Sequence, residues 1–383
     1  MKRLIFEQEH DIFRDSVARF ISTEVAPHTE AWRRAGIVDR SAYGKAGAAG
    51  LLCLWADPKF GGAGMDDLRF DQIVIEENVR QGDIAFYLHL HSNLVAPYID
   101  KLGTSALRSR LMPKIVSGET ILAIAMTEAA SGSDLRAVRT KAVRDGAGWR
   151  INGAKTYISN GLLSDAMVVV AQTGDSEKPT IGLFVVERDM QGFERGRQLE
   201  KMGLHAQDTA EIFFTDVWVP DENVLGDPHK GFSSLMQFLA TERLIAAIAS
   251  MAAAQTAFDL TLDFVRSRVA FGKAIGLFQH NRFRLAALRT RIDAAQTYVD
   301  QSVLLANEGN LSAEDAAGAK LLASEIEGDM VDLGVQLHGG AGYMSEYRIS
   351  RLYTDARVSR IFAGSNEIML EIISRAIGLD ERQ

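Results

Sequence analysis

Polar and apolar residues divide this chain into three stretches with different periods. The first ~120 residues carry apolar positions at helical spacing. Breaks are expected at Pro27, at Pro58-Lys59-Phe60-Gly61-Gly62, at Pro97 and at Gly118. The middle changes to short β-branched and aromatic runs: Met167–Ala171, Ile181–Val186, Ala210–Phe214 and Asp216–Val219. Val143-Arg144-Asp145-Gly146-Ala147-Gly148-Trp149 reads as a hairpin with a glycine turn. After Pro228, the last of seven prolines, nothing in the sequence stops a helix. There Phe232–Arg266, Phe278–Leu305 and Ala316–Leu337 repeat apolar residues at helical spacing, and four or five antiparallel helices in a bundle are expected. Strands segregated from helices predict an α+β fold. The expected organisation is an N-terminal helical domain over 1–121, a central β domain over 122–227 and a C-terminal helical bundle over 228–383.

Composition narrows the function classes. The 383 residues are 47% apolar and 24% charged, the balance of a folded globular protein. Fifty acidic against 42 basic residues give a net charge of −8, and no long Lys/Arg run offers a nucleic acid its phosphate contacts. The longest uncharged stretch with few polar residues, Leu244–Phe258, has 15 residues, short of the ~20 of a membrane span, so none is expected. Met1-Lys2-Arg3 is followed by Glu7, Glu9 and Asp11 without an apolar segment, which predicts neither a secretory signal nor a transit peptide. Cys53 is the only cysteine; it excludes an internal disulfide or a cysteine-built metal site, reads as a small buried hydrophobe, and fits a reducing, cytoplasmic setting. His89 and His91 lack further ligands and read as packing or pocket-lining groups, so no metal is expected.

Five motifs concentrate the chemistry. Ala125-Met126-Thr127-Glu128-Ala129-Ala130-Ser131-Gly132-Ser133-Asp134 combines small residues, hydroxyls and glycines, which let a backbone approach a flat or phosphorylated ligand; the plainer alternative is a polar turn. The others are Lys155-Thr156-Tyr157-Ile158-Ser159-Asn160-Gly161, Arg268-Val269-Ala270-Phe271-Gly272-Lys273 with Phe278-Gln279, Gln336-Leu337-His338-Gly339-Gly340-Ala341-Gly342-Tyr343, and Asp355-Ala356-Arg357-Val358 leading into Ile361-Phe362-Ala363-Gly364-Ser365-Asn366-Glu367-Ile368. Rossmann, Walker A, HExxH and GxSxG patterns are missing. Glu242 stands apart. On a helix its neighbours Phe238, Leu239, Ile245, Ala246 and Ala249 are apolar, so its carboxylate belongs to the buried stripe. There it needs either a basic partner or a task.

In this order and spacing, the five motifs, together with Lys201-Met202-Gly203-Leu204-His205-Ala206-Gln207-Asp208-Thr209-Ala210-Glu211, resemble the acyl-CoA dehydrogenase family of flavoproteins over nearly the whole chain. The resemblance implies FAD, a C-terminal four-helix bundle, a homotetramer, α,β-dehydrogenation of an acyl-CoA thioester and electron-transfer flavoprotein as acceptor. An oxidase on the same fold, and a non-catalytic binding paralogue, stay open. By the same resemblance, Met126, Thr127, Gly132 and Ser133 hold the flavin ring and pyrophosphate, and Tyr157, Ile158 and Ser159 cover the flavin's other side. Arg268, Phe271 and Gln279 contact pyrophosphate and adenine. Gln336, His338, Gly339 and Gly340 reach the FAD of a neighbouring subunit, and Ser365 and Glu367 lie at the flavin end. Ser133, Arg243, Ala363 and Gly364 fall on the substrate side.

Many family members place a glutamate base where this chain has Ala363. The run Ile361–Met369 looks most like the long-chain type, which with the isovaleryl type carries its base on the bundle helix just before an arginine. The resemblance therefore assigns the base to Glu242, followed by Arg243. The backbone N–H of Ala363 survives the substitution as a donor to the thioester carbonyl.

Overall fold

The computed structural model describes residues 1–174 and 180–379. Helix α1 (Gln8–Phe20) passes through a π turn at Ile21–Val25 and a 3-10 turn at Ala26–His28 into α2 (Thr29–Ala35), and α3 (Ser41–Ala48) and α4 (Leu68–Gln81) follow. A second π turn, Leu90–Val95, leads into α5 (Ala96–Leu102), then α6 (Ser105–Val116). The breaks expected at Pro27 and Pro97 are thus changes of pitch within continuous helical paths. Proline lacks an N–H and crowds the carbonyl four residues back; a widened turn just before it relieves both problems.

The central sheet contains β1 (Leu122–Ala125), β2 (Lys141–Asp145), β3 (Gly148–Ser159), β4 (Ala166–Gln172), β5 (Ile181–Glu187), β6 (Phe193–Gln198) and β7 (Thr209–Pro220). Its order is β1-β4-β2-β3-β7-β6, with β5 paired to β4. The hairpin expected at Val143–Trp149 is the β2–β3 turn. Strand β4 is buried on both faces, which explains its unbroken apolar run. The runs at 210–214 and 216–219 are one strand, β7. Strand β6 was not expected: Phe193-Glu194-Arg195-Gly196-Arg197-Gln198 is polar, and only pairing with β7 makes it a strand.

The C-terminal third comprises α7 (Gly231–Ser267), a small β8–β9 hairpin (Val269–Ala270, Lys273–Ala274), α8 (Gln279–Asn307), α9 (Ala313–His338), the short α10 (Gly340–Tyr343), α11 (Arg348–Ala356) and α12 (Asn366–Ala376). Leu244, Ala247, Ile248, Met251 and Ala254 of α7 pack with Ile292, Val299, Ala323, Ile326 and Met330 of the neighbouring helices. By length and composition α7 could cross a bilayer, but most of its apolar window is buried inside the protein. An all-round apolar helix in the middle of a bundle has that character. The three regions are tied by charge. Arg33 of α2 bridges Asp83 (3.1 Å) and Asp355 of α11 (3.4 Å), and Asp355 also accepts the N–H of Leu204.

Candidate active site

The first two motifs meet at an irregularity in β3. Lys155 pairs with Ile212 and Ile158 with Ala210, so β3 has one residue more than β7 across this step. The bulge lets Thr156 N–H bond the Thr127 carbonyl at 3.0 Å. It also places Tyr157 at φ +60° with 67% of its surface exposed, while Ile158 stays buried. Beneath, the fully buried Lys155 donates to Met126 O (3.0 Å) and to Glu128 Oε1 (2.8 Å), and Glu128 also accepts the N–H groups of Arg139 and Thr140. This Lys155–Glu128 clamp was inside the quoted motifs, yet sequence gave no sign that its two members face each other.

Glu242 lies on α7 with 7% exposure. Burial pushes its carboxyl up to about 7, against a hydrogen bond from Tyr98 and the charge of Arg243, which both pull it down. The phenol of Tyr98 on α5 donates to Oε1 at 2.6 Å. Met126, Phe238 and Phe362 pack against one apolar cluster that includes Tyr87, Leu90, Val95, Tyr98 and Leu235. The glutamate's helix, the first motif and the segment before Ala363 therefore border the same apolar cluster. Ala363 (φ +53°) and Gly364 (φ +85°) form a left-handed pair whose N–H groups bond no protein acceptor among the described residues. The next turn is anchored: Asn366 Oδ1 accepts from Lys320 Nζ (2.9 Å) and Ser324 Oγ (3.1 Å) of α9. Burial, opposed by Glu367 and reinforced by Arg243, pushes Lys320 down to about 8, so α9, α12 and the Glu242 turn share one electrostatic neighbourhood. Arg243 is buried, makes no ion pair among the described residues, and its Nε has no partner.

Arg268, Phe271 and Gln279 gather at the α7–α8 corner. Phe271 is 95% exposed at φ +51° and meets Phe278 edge-on. The end of α9 reaches this same corner. His338 stacks on Phe264 at 4.1 Å, and the Phe264 carbonyl accepts the Arg268 N–H at 2.8 Å. The His338 ring is largely buried, with Nδ1 2.7 Å from Gly334 O, while Gln336, Gly339 and Gly340 lie at the surface. Counting along α7, this corner is roughly 38 Å from Glu242 at 1.5 Å per residue, further than one flavin dinucleotide spans. Ser365 is half-buried beside the Gly364 turn and Glu367 is exposed.

The expected packing groups behave as such. His91 sits between Ile115 O (3.0 Å) and the Leu122 N–H (3.3 Å), and Cys53 is buried. No cluster of metal-ligating side chains occurs among the described residues.

The free donors fit FAD. The hydroxyls of Thr127, Ser133 and Ser159 and the side chains of Arg268, Gln279 and Gln336 have no hydrogen-bond partner among the described residues. A Cβ at Gly132, Gly339 or Gly340 would meet no protein atom within 4 Å; the backbone of Gly339, at φ +61°, calls for glycine by itself, while at Gly132 and Gly340 the open space leaves room for close approach by a ligand or another subunit.

Three family models match in series: the acyl-CoA dehydrogenase N-terminal domain over residues 7–119, the middle domain over 123–217 and the C-terminal domain over 229–378. The mitochondrial long-chain specific acyl-CoA dehydrogenase of Mus musculus is 44% identical over 381 residues, covering 99% of this chain and 88% of that one. The mitochondrial isovaleryl-CoA dehydrogenase of Pongo abelii is 32% identical, with 97% and 89% covered. A crystal structure of an acyl-CoA dehydrogenase from Geobacillus kaustophilus superposes with a TM-score of 0.96 at 44% identity, covering 98% of this chain and 99% of that one. With all three of its regions matched in order and its helical, β and helical parts assembled in the same way, this chain belongs to the acyl-CoA dehydrogenase family of oxidoreductases.

Proposed function

We propose that this protein catalyses FAD-dependent α,β-dehydrogenation of an acyl-CoA thioester to the trans-2-enoyl thioester, with electrons passed to electron-transfer flavoprotein. The observation that carries the reading is Glu242: a carboxylate buried among apolar groups, with burial raising it to about 7, on a helix that shares an apolar cluster with Phe362. A base whose pKa lies near the working pH suits removal of a weakly acidic α proton. When bound, FAD supplies the acceptor for the hydride that leaves Cβ. Glu242 takes the proton from Cα. The unbonded N–H of Ala363 donates to the thioester carbonyl oxygen, where negative charge builds as the proton departs. The aromatic and aliphatic wall of Tyr87, Leu90, Tyr98, Phe238 and Phe362 suits an acyl chain and keeps water from the carboxylate.

Met126, Thr127, Gly132, Ser133, Tyr157, Ile158 and Ser159 would hold the flavin of their own chain, with Ser365 and Glu367 near its ring. Arg268, Phe271, Gln279, Gln336, Gly339 and Gly340 would serve the flavin of a neighbouring copy. The roughly 38 Å of helix between Glu242 and the Arg268 corner supports that division, and with it a closed homo-oligomer, expected to be a tetramer. A reducing compartment such as the cytoplasm fits the single buried thiol. The decisive experiment is anaerobic mixing of Glu242→Gln holoenzyme with acyl-CoA. The variant should bind both ligands yet reduce its flavin ~10² to 10⁴-fold more slowly. Flavin reduction at the wild-type rate would show that Glu242 is structural.

A further inference from the structure

Beyond its ring's place in that apolar wall, Tyr98 makes the one side-chain hydrogen bond to the proposed base among the described residues. Its position depends on the backbone before it. Across the π turn the Ala96 N–H bonds His91 O, five residues back. One added residue rotates the face that follows by about 100° relative to an uninterrupted α-helix. The phenol that results is wholly buried and fixed at two points: its ring lies 4.3 Å from that of Phe238, and its oxygen is 2.6 Å from Glu242 Oε1. Phe238 is one turn before Glu242 on α7, so the same tyrosine braces both the helix face and the carboxylate.

The 2.6 Å separation falls in the 2.5–2.7 Å range of an O–H donor to an ionised carboxylate, shorter than is usual between neutral oxygens. No other group among the described residues hydrogen-bonds the Glu242 carboxyl. Oε1 is thereby occupied and Oε2 is left to accept a proton.

We propose that Tyr98 is a positioning residue for the base: its phenol holds Oε1 of Glu242, favours the ionised carboxylate in a buried apolar site, and leaves Oε2 as the oxygen that removes the α proton. This rests on the reading of Glu242 as the base. The groups facing the carboxylate are Tyr98 from α5 and Arg243 on α7 itself; Lys320 of α9 and Glu367 of α12 stand one step further out, with Lys320 facing Arg243. Burial drives Glu242 toward its neutral form, and the Tyr98 bond acts in the opposite sense. Without that bond the carboxyl should therefore stay protonated to higher pH.

The test uses Tyr98→Phe holoenzyme, which keeps the ring against Phe238 and loses one hydroxyl. Flavin reduction by acyl-CoA is followed anaerobically from pH 6 to 9.5, beside wild type and Glu242→Gln. A hydrogen bond to a charged group corresponds to a shift of about one to two pH units, so the acid limb of the rate profile should move up by that amount. The rate at pH 7 should fall about 5- to 50-fold and recover toward wild type at high pH. Unfolding midpoint and flavin content check that the variant is folded. Should it not fold, 3-fluorotyrosine at position 98, a stronger donor of nearly the same shape, should move the acid limb the other way, to lower pH. A wild-type profile in Tyr98→Phe, or a loss that is equal at every pH, would overturn the proposal while leaving Glu242 as base. Wild-type reduction in Glu242→Gln would instead remove the base reading and this proposal with it.

Discussion

The Lys155–Glu128 pair gives a prediction whose size follows from its surroundings. Both side chains are buried, and they join the strand end at Met126–Glu128 to the bulge that carries Tyr157. Replacing Lys155 with Met preserves most of the volume and removes the ammonium. Glu128 is then a buried carboxylate without its counter-charge. Breaking such a pair typically costs about 3–5 kcal/mol. Here Glu128 keeps the N–H groups of Arg139 and Thr140, so the low end, about 3 kcal/mol, is expected. A chain of this length gains about 0.8 kcal/mol per kelvin in unfolding entropy, which places the fall in Tm near 4 °C. Calorimetry at one protein concentration, with and without saturating FAD, reads it out. The FAD-loaded protein should lose more than the stripped protein, because the clamp sets the spacing of the Thr127 and Tyr157 loops. Adding Glu128→Gln to Lys155→Met should recover at least half of the loss, since no charge then remains buried alone. A Tm change under about 1 °C, or a double variant no more stable than the single one, would refute the clamp.

Two further outcomes are expected. If Ala363 and Glu242 border the same Cα from two segments, Glu242→Ala with Ala363→Glu should regain part of the flavin-reduction rate lost in Glu242→Ala alone. Recovery should be incomplete, because misplacement by about 1 Å can cost ~10²-fold; stopped-flow reduction rates that do not differ between the two variants would defeat the convergence argument. Glu327 on α9 is buried with Oε2 unpartnered, and burial pushes it up to about 8, so the folded protein holds a proton there that the unfolded chain has already released between about pH 4.5 and 8. Stability should fall as pH rises through that window, and Glu327→Gln should flatten the fall in denaturation midpoint between pH 6.5 and 8.5; an unchanged slope would contradict the assignment.

Much of the fold is legible because the signals are local. Three helix-permitting stretches without proline, four apolar strand runs and a glycine turn each depend on residues within one element. The misses share a cause in tertiary context. Pro27 and Pro97 look like helix ends, but the helical path continues because a π turn precedes each. Strand β6 has no apolar pattern because its pairing with β7 supplies what its side chains do not. The seam between 214 and 216 vanishes because β7 runs through Asp216, which takes φ +52°.

The site divides along the same line. Motif residues such as Thr127, Gly132, Tyr157 and Gly364 lie in short local runs, and the order and spacing of those runs carry the family resemblance. Tyr98 lies in none of them: it is 144 positions from Glu242 in sequence, and no local pattern distinguishes it from a core tyrosine. Nor does linear order reveal which motifs serve one flavin. Arg268 follows Glu242 closely in sequence, and on a flexible segment the two could meet. On α7 they cannot. The helix is buried through its middle and packed against α4, α8 and α9, so it acts as a rigid spacer of roughly 38 Å between them. The His338 stack on Phe264 then brings the Gln336–Gly340 motif to the Arg268 end. On the proposed reading, the Glu242 region and the Arg268 end of one chain would serve two different flavins. A flavin needing both kinds of contact would then obtain them where the Glu242 region of one copy meets the Arg268 end of another, and assembly would be a condition of cofactor binding set by helix length.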